Sequence, residues 1–456
     1  MKLPGLYFWP IVLCVPFILS PLVPAAAANI ETNTSSPANE RGVLSVLGSS
    51  VAHGSRSSGD IHNQFINGSY VNGYAADLTV AQKTNGWQVV NQSIGGDTTG
   101  RVRSRFYRDE VPVHADEVLI GLSLGNEGLA KSPHPQAVFN HFFTGITNLI
   151  AMARSNNILP LLGNQYPKND YSSNEYVYLK KMDLLLNTLD VASVNFLGAT
   201  DDGFGHWVNN SFINLGSGDG THPSDAGYYE MFLTIVPSVF DAIKAGKPTP
   251  HWGHRAKFLH LATGSTQAAS LSFYPSLPMH SFTVSFRVRS ATTGTVAAII
   301  LPDSSISPHV EITPTSLAYI SADGVTNSSV VSGTDNAWHE VVIAHGWARG
   351  QTRFYVDGTL ASTVSERLAP VGFVLGSRGN GATLSGSPVQ ADYQDWFVYR
   401  SMLNFEEVSA QHQGIFQQAS LELYAPLDDA SFTLGATVAN AAQSLSTAVI
   451  NRNLWP

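Results

Sequence analysis

The sequence predicts two domains of different class, an α/β domain built on a parallel sheet and then an all-β sandwich. Three observations lead there. From Val43 to about Ala245, short apolar runs alternate with stretches of helical period, the signature of a sheet covered by helices. Beyond about residue 250 the period changes to two. At 456 residues the chain is also too long for one ordinary domain.

The elements follow in order. Lys2 is the only charge before the apolar stretch LYFWPIVLCVPFILSPLV, and small residues follow in PAAAAN. That pattern reads as a cleaved signal over residues 1–28, with Pro10, Pro16 and Pro21 arguing against a durable membrane helix. A polar linker fills 29–41. Strands are expected at VLSVLG, WQVVNQ, EVLIGLSL, ILPLLG and SVNFLGA. Between them, Phe139, Phe142, Phe143, Ile146, Leu149, Ile150 and Ala153 recur at helical spacing. A second helix is expected in SSNEYVYLKKMDLLLNTL, capped by a serine, and a third follows His222. KPTPHWGHR breaks the pattern, which places an α/β domain at 42–246 and a β domain at 247–456. In the second domain SFTVSFRVRS, TVAAIILP, HEVVIAHGW, TRFYVDGTLAST and DWFVYRS alternate, and Asp357-Gly358 is a hairpin signal.

Composition narrows the function. The chain is 43% hydrophobic and 13% charged, with net charge -9 and no basic block, so the footprint of a nucleic-acid binder is missing. No later segment is long and apolar enough to span a membrane. The one cysteine, Cys14, lies in the signal, so the mature chain has no thiolate nucleophile and no cysteine metal site. Neither a metal-binding HExxH nor a phosphate loop occurs, and no cofactor is expected. Asn33, Asn67, Asn91, Asn209 and Asn327 fit the N-glycosylation pattern.

The chemistry centres on GSSVAHG, residues 48–54. A serine needs a base to take its proton, a carboxylate to orient that base, and donors for the oxyanion. Asp219 and His222, three apart in SGDGTHPSDAGY, can supply the pair: the carboxylate reaches Nδ1 and leaves Nε2 facing a serine. Ser123, in GLSLG, is the rival nucleophile of an α/β-hydrolase elbow. That elbow must turn into a helix, and Pro133 and Pro135 follow instead, so Ser123 is read as a strand residue.

The blocks together resemble the SGNH, or GDSL, hydrolase family of esterases and lipases, over roughly residues 43 to 245. Its Gly-Asp-Ser-x-x-x-Gly stretch falls on Gly48 to Gly54, which makes Ser50 the nucleophile and puts Ser49 where the family has aspartate. The block VVNQSIGGDTTGR puts the oxyanion glycine on Gly96. The family's Gly-x-Asn-Asp is here Leu124-Gly125-Asn126-Glu127, and its Asp-x-x-His is Asp219 to His222. The resemblance implies a three-layer, flavodoxin-like parallel-sheet domain. It also implies an oxyanion hole from the Ser50 N–H, the Gly96 N–H and the Asn126 amide.

Residues 252 to 456 resemble a laminin-G-like, concanavalin A-like jelly roll, a class that often binds glycans, sometimes with calcium. No Asp-rich calcium loop is visible, so calcium stays open. Trp338 and Trp396 alternate with strand residues and are expected in the core, whereas Trp252 and Trp347, beside Gly and His in loops, are the candidate sugar platforms.

The reading is a secreted serine esterase acting through an acyl-enzyme, with an acetyl ester on a polysaccharide as substrate. A lipid or lysophospholipid ester is the alternative, and a binding or adhesion protein with a dead hydrolase domain is another. The tether reading adds one expectation: a fragment ending near Lys247 folds alone.

Overall fold

The computed structural model describes residues 41–58, 65–66, 69–70, 73–262, 268–302, 307–377, 389–428 and 435–452. The expected signal, the linker up to residue 40, Cys14, Asn33 and Asn67 lie outside them. Among the described residues, no helix is long and apolar enough to cross a membrane.

The first half runs β1 (Gly42–Gly48), α1 (Ser50–His53), the ribbon strands β2 (Phe65–Ile66) and β3 (Ser69–Tyr70), and α2 (Tyr74–Lys83). Then come β4 (Trp87–Asn91), α3 (Thr99–Asp109), β5 (Glu117–Gly121), α4 (Pro135–Ser155), β6 (Leu159–Gly163) and α5 (Ser173–Asn187). It closes with β7 (Ser193–Val194), α6 (Leu197–Thr200), α7 (Asp225–Leu233) and α8 (Val239–Lys244). The sheet is parallel with order β4-β1-β5-β6-β7. In order of use that is 2-1-3-4-5, the flavodoxin-like order, whose switch point lies between the carboxyl ends of β1 and β5. One apolar cluster under α2, α7 and α8 holds Leu44, Val46, Trp87 and Phe240, and another under α3, α4 and α5 holds Leu47, Phe106, Phe142 and Leu179, so both sheet faces are covered.

Two elements differ from the expected pattern. SVNFLGA yields only a two-residue β7 before α6, because the Asn195 side chain turns the chain: its Oδ1 accepts from Gly198 N–H at 2.8 Å. The segment after His222 is two helices, since Pro237 cannot continue a helix, and α7 stops at Leu233.

The second half is a sandwich of two antiparallel sheets. One holds β17 (Thr359–Ser365), β16 (Gln351–Val356), β15 (His339–Gly346), β10 (Phe282–Arg289), β19 (Ala391–Tyr399) and β20 (Leu421–Ala425), with β8 (Leu259–Leu261) paired to β19. The other holds β14 (Thr326–Ser328), β13 (Leu317–Ile320), β12 (His309–Ile312), β11 (Gly294–Ile300), β18 (Gly372–Leu375), β9 (Ala268–Phe273), β22 (Ala448–Arg452) and β21 (Thr437–Val438). Phe286, Val310, Phe354, Trp396 and Leu423 fill the space between them. Each such side chain, once fully buried, contributes about 1.5–3 kcal/mol. Asp357 and Gly358 both take positive φ (49° and 71°), the geometry of the tight turn expected between β16 and β17.

The two halves meet through polar groups that are fully buried. The helix α9 (Phe405–His412) of the second half brings Glu407 against Asn187 and Asn195, whose amides donate to it at 3.0 and 2.8 Å. The backbone N–H of Gln418 donates to Asn187 O at 2.7 Å, and that of Ser420 to Ser193 O at 2.8 Å. Ala419 and Ser420 sit at positive φ (35° and 63°), unusual for residues with a side chain, and are held there by these bonds. The Arg400 guanidinium pairs with Glu422 at 2.5 Å and donates to Leu233 O at the end of α7.

Candidate active site

The site forms where β1 and β5 end. β1 and β5 run so close that a Cβ on Gly48 would stand 2.2 Å from Gly121 O, so only glycine fits there. The chain then turns into the single-turn α1, which ends on Gly54 in the left-handed region at φ 85°. The two glycines of GSSVAHG thus hold a strand–turn–helix that puts Ser50 at the first helical position.

Asp219 and His222 come from a narrow loop before α7. Its ends pair at Gly216 and Pro223, and Ser217 N–H donates to His222 O at 2.8 Å. His222 Nε2 lies 2.9 Å from Ser50 Oγ, and His222 Nδ1 lies 2.8 Å from Asp219 Oδ2. The other carboxylate oxygen accepts from Thr221 N–H (2.9 Å), His222 N–H (3.0 Å) and the Ser217 hydroxyl (2.8 Å). Arg56 Nε adds a contact at 3.2 Å to Oδ2. Burial alone would raise the Asp219 carboxyl, but the hydrogen bonds from the His222 backbone and ring, the Thr221 N–H and the Ser217 hydroxyl outweigh it. They hold the carboxyl well below the usual carboxylate range. An ionised carboxylate only accepts, so it fixes the proton on Nδ1 and leaves Nε2 bare toward Ser50.

The other expected donors border the serine. A Cβ on Gly95 would sit 3.8 Å from Ser50 Cβ, which places the Gly95-Gly96 turn beside it. Gly96 has φ 78°, and its carbonyl accepts from Arg101 at 3.1 Å. Asn126 follows β5, and its Oδ1 lies 3.0 Å from Ser49 Oγ and 3.1 Å from the Tyr166 hydroxyl. Glu127, where the family has aspartate, accepts the Thr99 N–H at the start of α3 at 2.5 Å and so ties the second and third blocks together.

Ser123 is fully buried and followed by a turn rather than a helix, but it lies just past the end of β5 rather than in the strand as expected, with its Oγ 3.5 Å from Asn126 Oδ1. Sequence reasoning missed two residues. Arg105 is buried and ties the loops to one another: it pairs with Asp97 at 2.7 Å and donates to Gln92 O and Gly48 O. It is one of four arginines on α3, and nothing in the sequence separates it from the exposed ones. Tyr166, stacked on Trp207, was the other.

The two candidate sugar platforms, Trp252 and Trp347, are half-buried and packed against neighbouring rings. Trp252 donates Nε1–H to Gly414 O and packs edge-on against Phe397, Phe416 and Tyr424. Trp347 stacks on His280 with centroids 4.1 Å apart and seals against the core of the first half. Loop position did not reveal the neighbours of either, which lie in the same half for Trp252 and partly in the first half for Trp347. Trp396 is fully buried and Trp338 is half-buried under Arg287 and Arg289. Asn209 is exposed, whereas Asn91 Nδ2 donates to Ala52 O and Asn327 Nδ2 to Val325 O. Among the described residues, no group of three or more His, Cys, Asp or Glu is placed to hold a metal ion.

Residues 263–409 match a family model described as the concanavalin A-like lectin/glucanases superfamily. No curated protein matches the chain. Among solved structures, a heptameric SAP-like pentraxin from Limulus polyphemus is 13% identical, with 38% of this chain and 91% of that one covered and a TM-score of 0.30. A mutant of an acetyl-xylooligosaccharide esterase from Geobacillus Stearmophilus is 15% identical, with 42% and 91% covered and a TM-score of 0.34. An alpha/beta hydrolase enzyme from the metagenome of Lake Arreo, Spain, is 18% identical, with 42% and 92% covered and a TM-score of 0.34.

Proposed function

We propose that the chain is a secreted serine hydrolase that cleaves carboxylic esters through an acyl-enzyme. One observation carries the reading: the unbroken line from Ser50 Oγ to His222 Nε2 (2.9 Å) and from His222 Nδ1 to Asp219 (2.8 Å). Ser50 attacks the ester carbonyl while His222 takes its proton. Asp219 keeps the imidazole in the right tautomer and stabilises the imidazolium. The tetrahedral oxyanion is met by the N–H groups of Ser50 and Gly96 and by Asn126 Nδ2. His222 then returns the proton to the leaving alcohol, and water, deprotonated by the same base, releases the acid.

The substrate proposed is an acetyl ester on a polysaccharide. Its support is the match of the second half to a superfamily whose description names lectins and glucanases. The test has two arms. A serine-directed phosphonate should label the wild type at Ser50, and no labelling would sink the hydrolase reading. Acetylated xylan, pectin and chitin-type substrates are then set against short and long acyl lipid esters. Preference for the long acyl lipids would replace the polysaccharide with a lipid.

A further inference from the structure

Asn126 is surrounded on one side by hydroxyl groups. Its Oδ1 lies 3.0 Å from Ser49 Oγ, 3.1 Å from the Tyr166 hydroxyl, 3.5 Å from Ser123 Oγ and 3.3 Å from the Ser123 backbone N–H. The last contact decides which way the amide faces. A backbone N–H can only donate, so the Asn126 atom it meets is the carbonyl oxygen and not the NH2. Ser49 and Ser123 are fully buried and Tyr166 is 7% exposed, so these hydroxyls have no bulk water to bond instead. Tyr166 is itself fixed, stacked on the buried Trp207 ring at 14° between planes.

We infer that Ser49 and Tyr166 are positioning residues: their hydroxyls saturate Asn126 Oδ1 and so aim Asn126 Nδ2 at the oxyanion. The inference deepens the proposed function and rests on it. It also gives a meaning to the serine at position 49, where the resembling family has aspartate. In this chain Oδ1 faces position 49, so a carboxylate there would set an acceptor against an acceptor. A hydroxyl donates, and the amide stays. Tyr166, in the loop after β6, serves as the second donor. Burial raises its hydroxyl above the usual range, outweighing the opposing effect of the neighbouring Ser123 and Ser49 hydroxyls, so it keeps its proton to donate.

The test is a double-mutant cycle on hydrolysis of a chromogenic acetate by the full chain. Ser49→Ala and Tyr166→Phe should each lower kcat by roughly tenfold with KM little changed, less than the loss of the donor itself. Ser49→Thr should restore most of the rate, and Ser49→Asp should be worse than Ser49→Ala. In an Asn126→Ala background both substitutions should cost less than about twofold, since there is no amide left to aim. Equal losses with and without Asn126, or no loss in either background, would overturn the inference. Tyr166→Phe removes one oxygen atom and Ser49→Ala another, so if thermal melting shows that one variant is unfolded, the other still decides. A wild type that neither reacts with phosphonate at Ser50 nor hydrolyses esters sinks the proposed function. A fully active wild type with additive losses sinks only the aiming role.

Discussion

Asp183 on α5 and Glu407 on α9 lie on either side of the Asn187 amide at the boundary between the two halves, both fully buried, with Asn187 Nδ2 3.5 Å from Asp183 Oδ2 and 3.0 Å from Glu407 Oε1. Burial raises both, and the neighbouring carboxyl raises Asp183 further. Bonds from Asn404 N–H, Asp183 and Asn187 pull Glu407 back, leaving it raised to about 7. Each is therefore more readily protonated in the folded chain than in the unfolded one.

The consequence is a stability that falls as pH rises. A carboxyl raised in the folded state contributes stability fully present below its unfolded value and lost through its folded value. Between about pH 5 and pH 8 the chain should lose on the order of 1–3 kcal/mol, seen as a falling melting temperature. Glu407→Gln, which keeps the amide contacts to Asn187 and Asn195 in reach, should flatten the slope. A melting temperature that rises over this range would contradict the arrangement.

The same boundary changes the expectation for truncation. A fragment ending near Lys247 was expected to fold alone. It would instead lose Gln418 and Ser420 from the edge of the parallel sheet, and leave Asp183, Asn187, Ser193 and Asn195 without their buried partners. Orphaned buried polar groups cost about 1–3 kcal/mol each. The fragment should be insoluble or molten, and inactive on a small soluble ester. A soluble fragment with full activity would show that the second half is a tethered module after all.

Ser50→Ala should abolish ester hydrolysis by roughly four to six orders of magnitude, because triad members act as a unit. Asn126→Ala should cost about two to three orders, the loss of one oxyanion donor. Rates for purified variants on a chromogenic acetate decide both. Near-normal turnover in Asn126→Ala would remove it from the oxyanion hole.

The sequence made some of this legible and hid the rest for a physical reason. Gly48, Ser50, Gly54, Asp219 and His222 are local motifs: backbone geometry and a three-residue spacing fix them, and both can be read along the chain. The alternation of periods similarly exposed the parallel sheet and the sandwich. What stayed hidden depends on residues distant in sequence. Tyr166 reaches Asn126 from forty positions away, and Glu407 reaches Asn187 from 220 away. Nothing in the local pattern of either residue distinguishes it from an ordinary core tyrosine or a helix-capping glutamate. The neighbours of Trp252 and Trp347 stayed hidden in the same way, since loop position says nothing about residues as distant as Tyr424 for the one and Phe212 for the other.

The last prediction concerns Asp219, and its sign follows from the bonds it accepts. A carboxyl lowered in the folded state contributes stability present above its unfolded value and lost only as pH falls through its folded one. Asp219 is held well below the ordinary carboxylate range, so it stays ionised across the pH range in which an enzyme assay is run. The acid limb of kcat/KM should therefore have a slope of one proton, with no second proton from Asp219. A two-proton fall near the carboxylate range would mean that Asp219 titrates too. Asp219→Asn tests the orienting role directly. The amide can present its NH2 to Nδ1, which favours the tautomer with the proton on Nε2, where it cannot accept from Ser50. The loss should be on the order of 10³- to 10⁴-fold in kcat, the scale seen when the orienting carboxylate of a serine triad becomes an amide. Phosphonate labelling of Ser50 should slow in parallel, since it needs the same base. A variant that labels at the wild-type rate while hydrolysing slowly would place Asp219 in deacylation alone, and the line from Ser50 to Asp219 would not act as one unit.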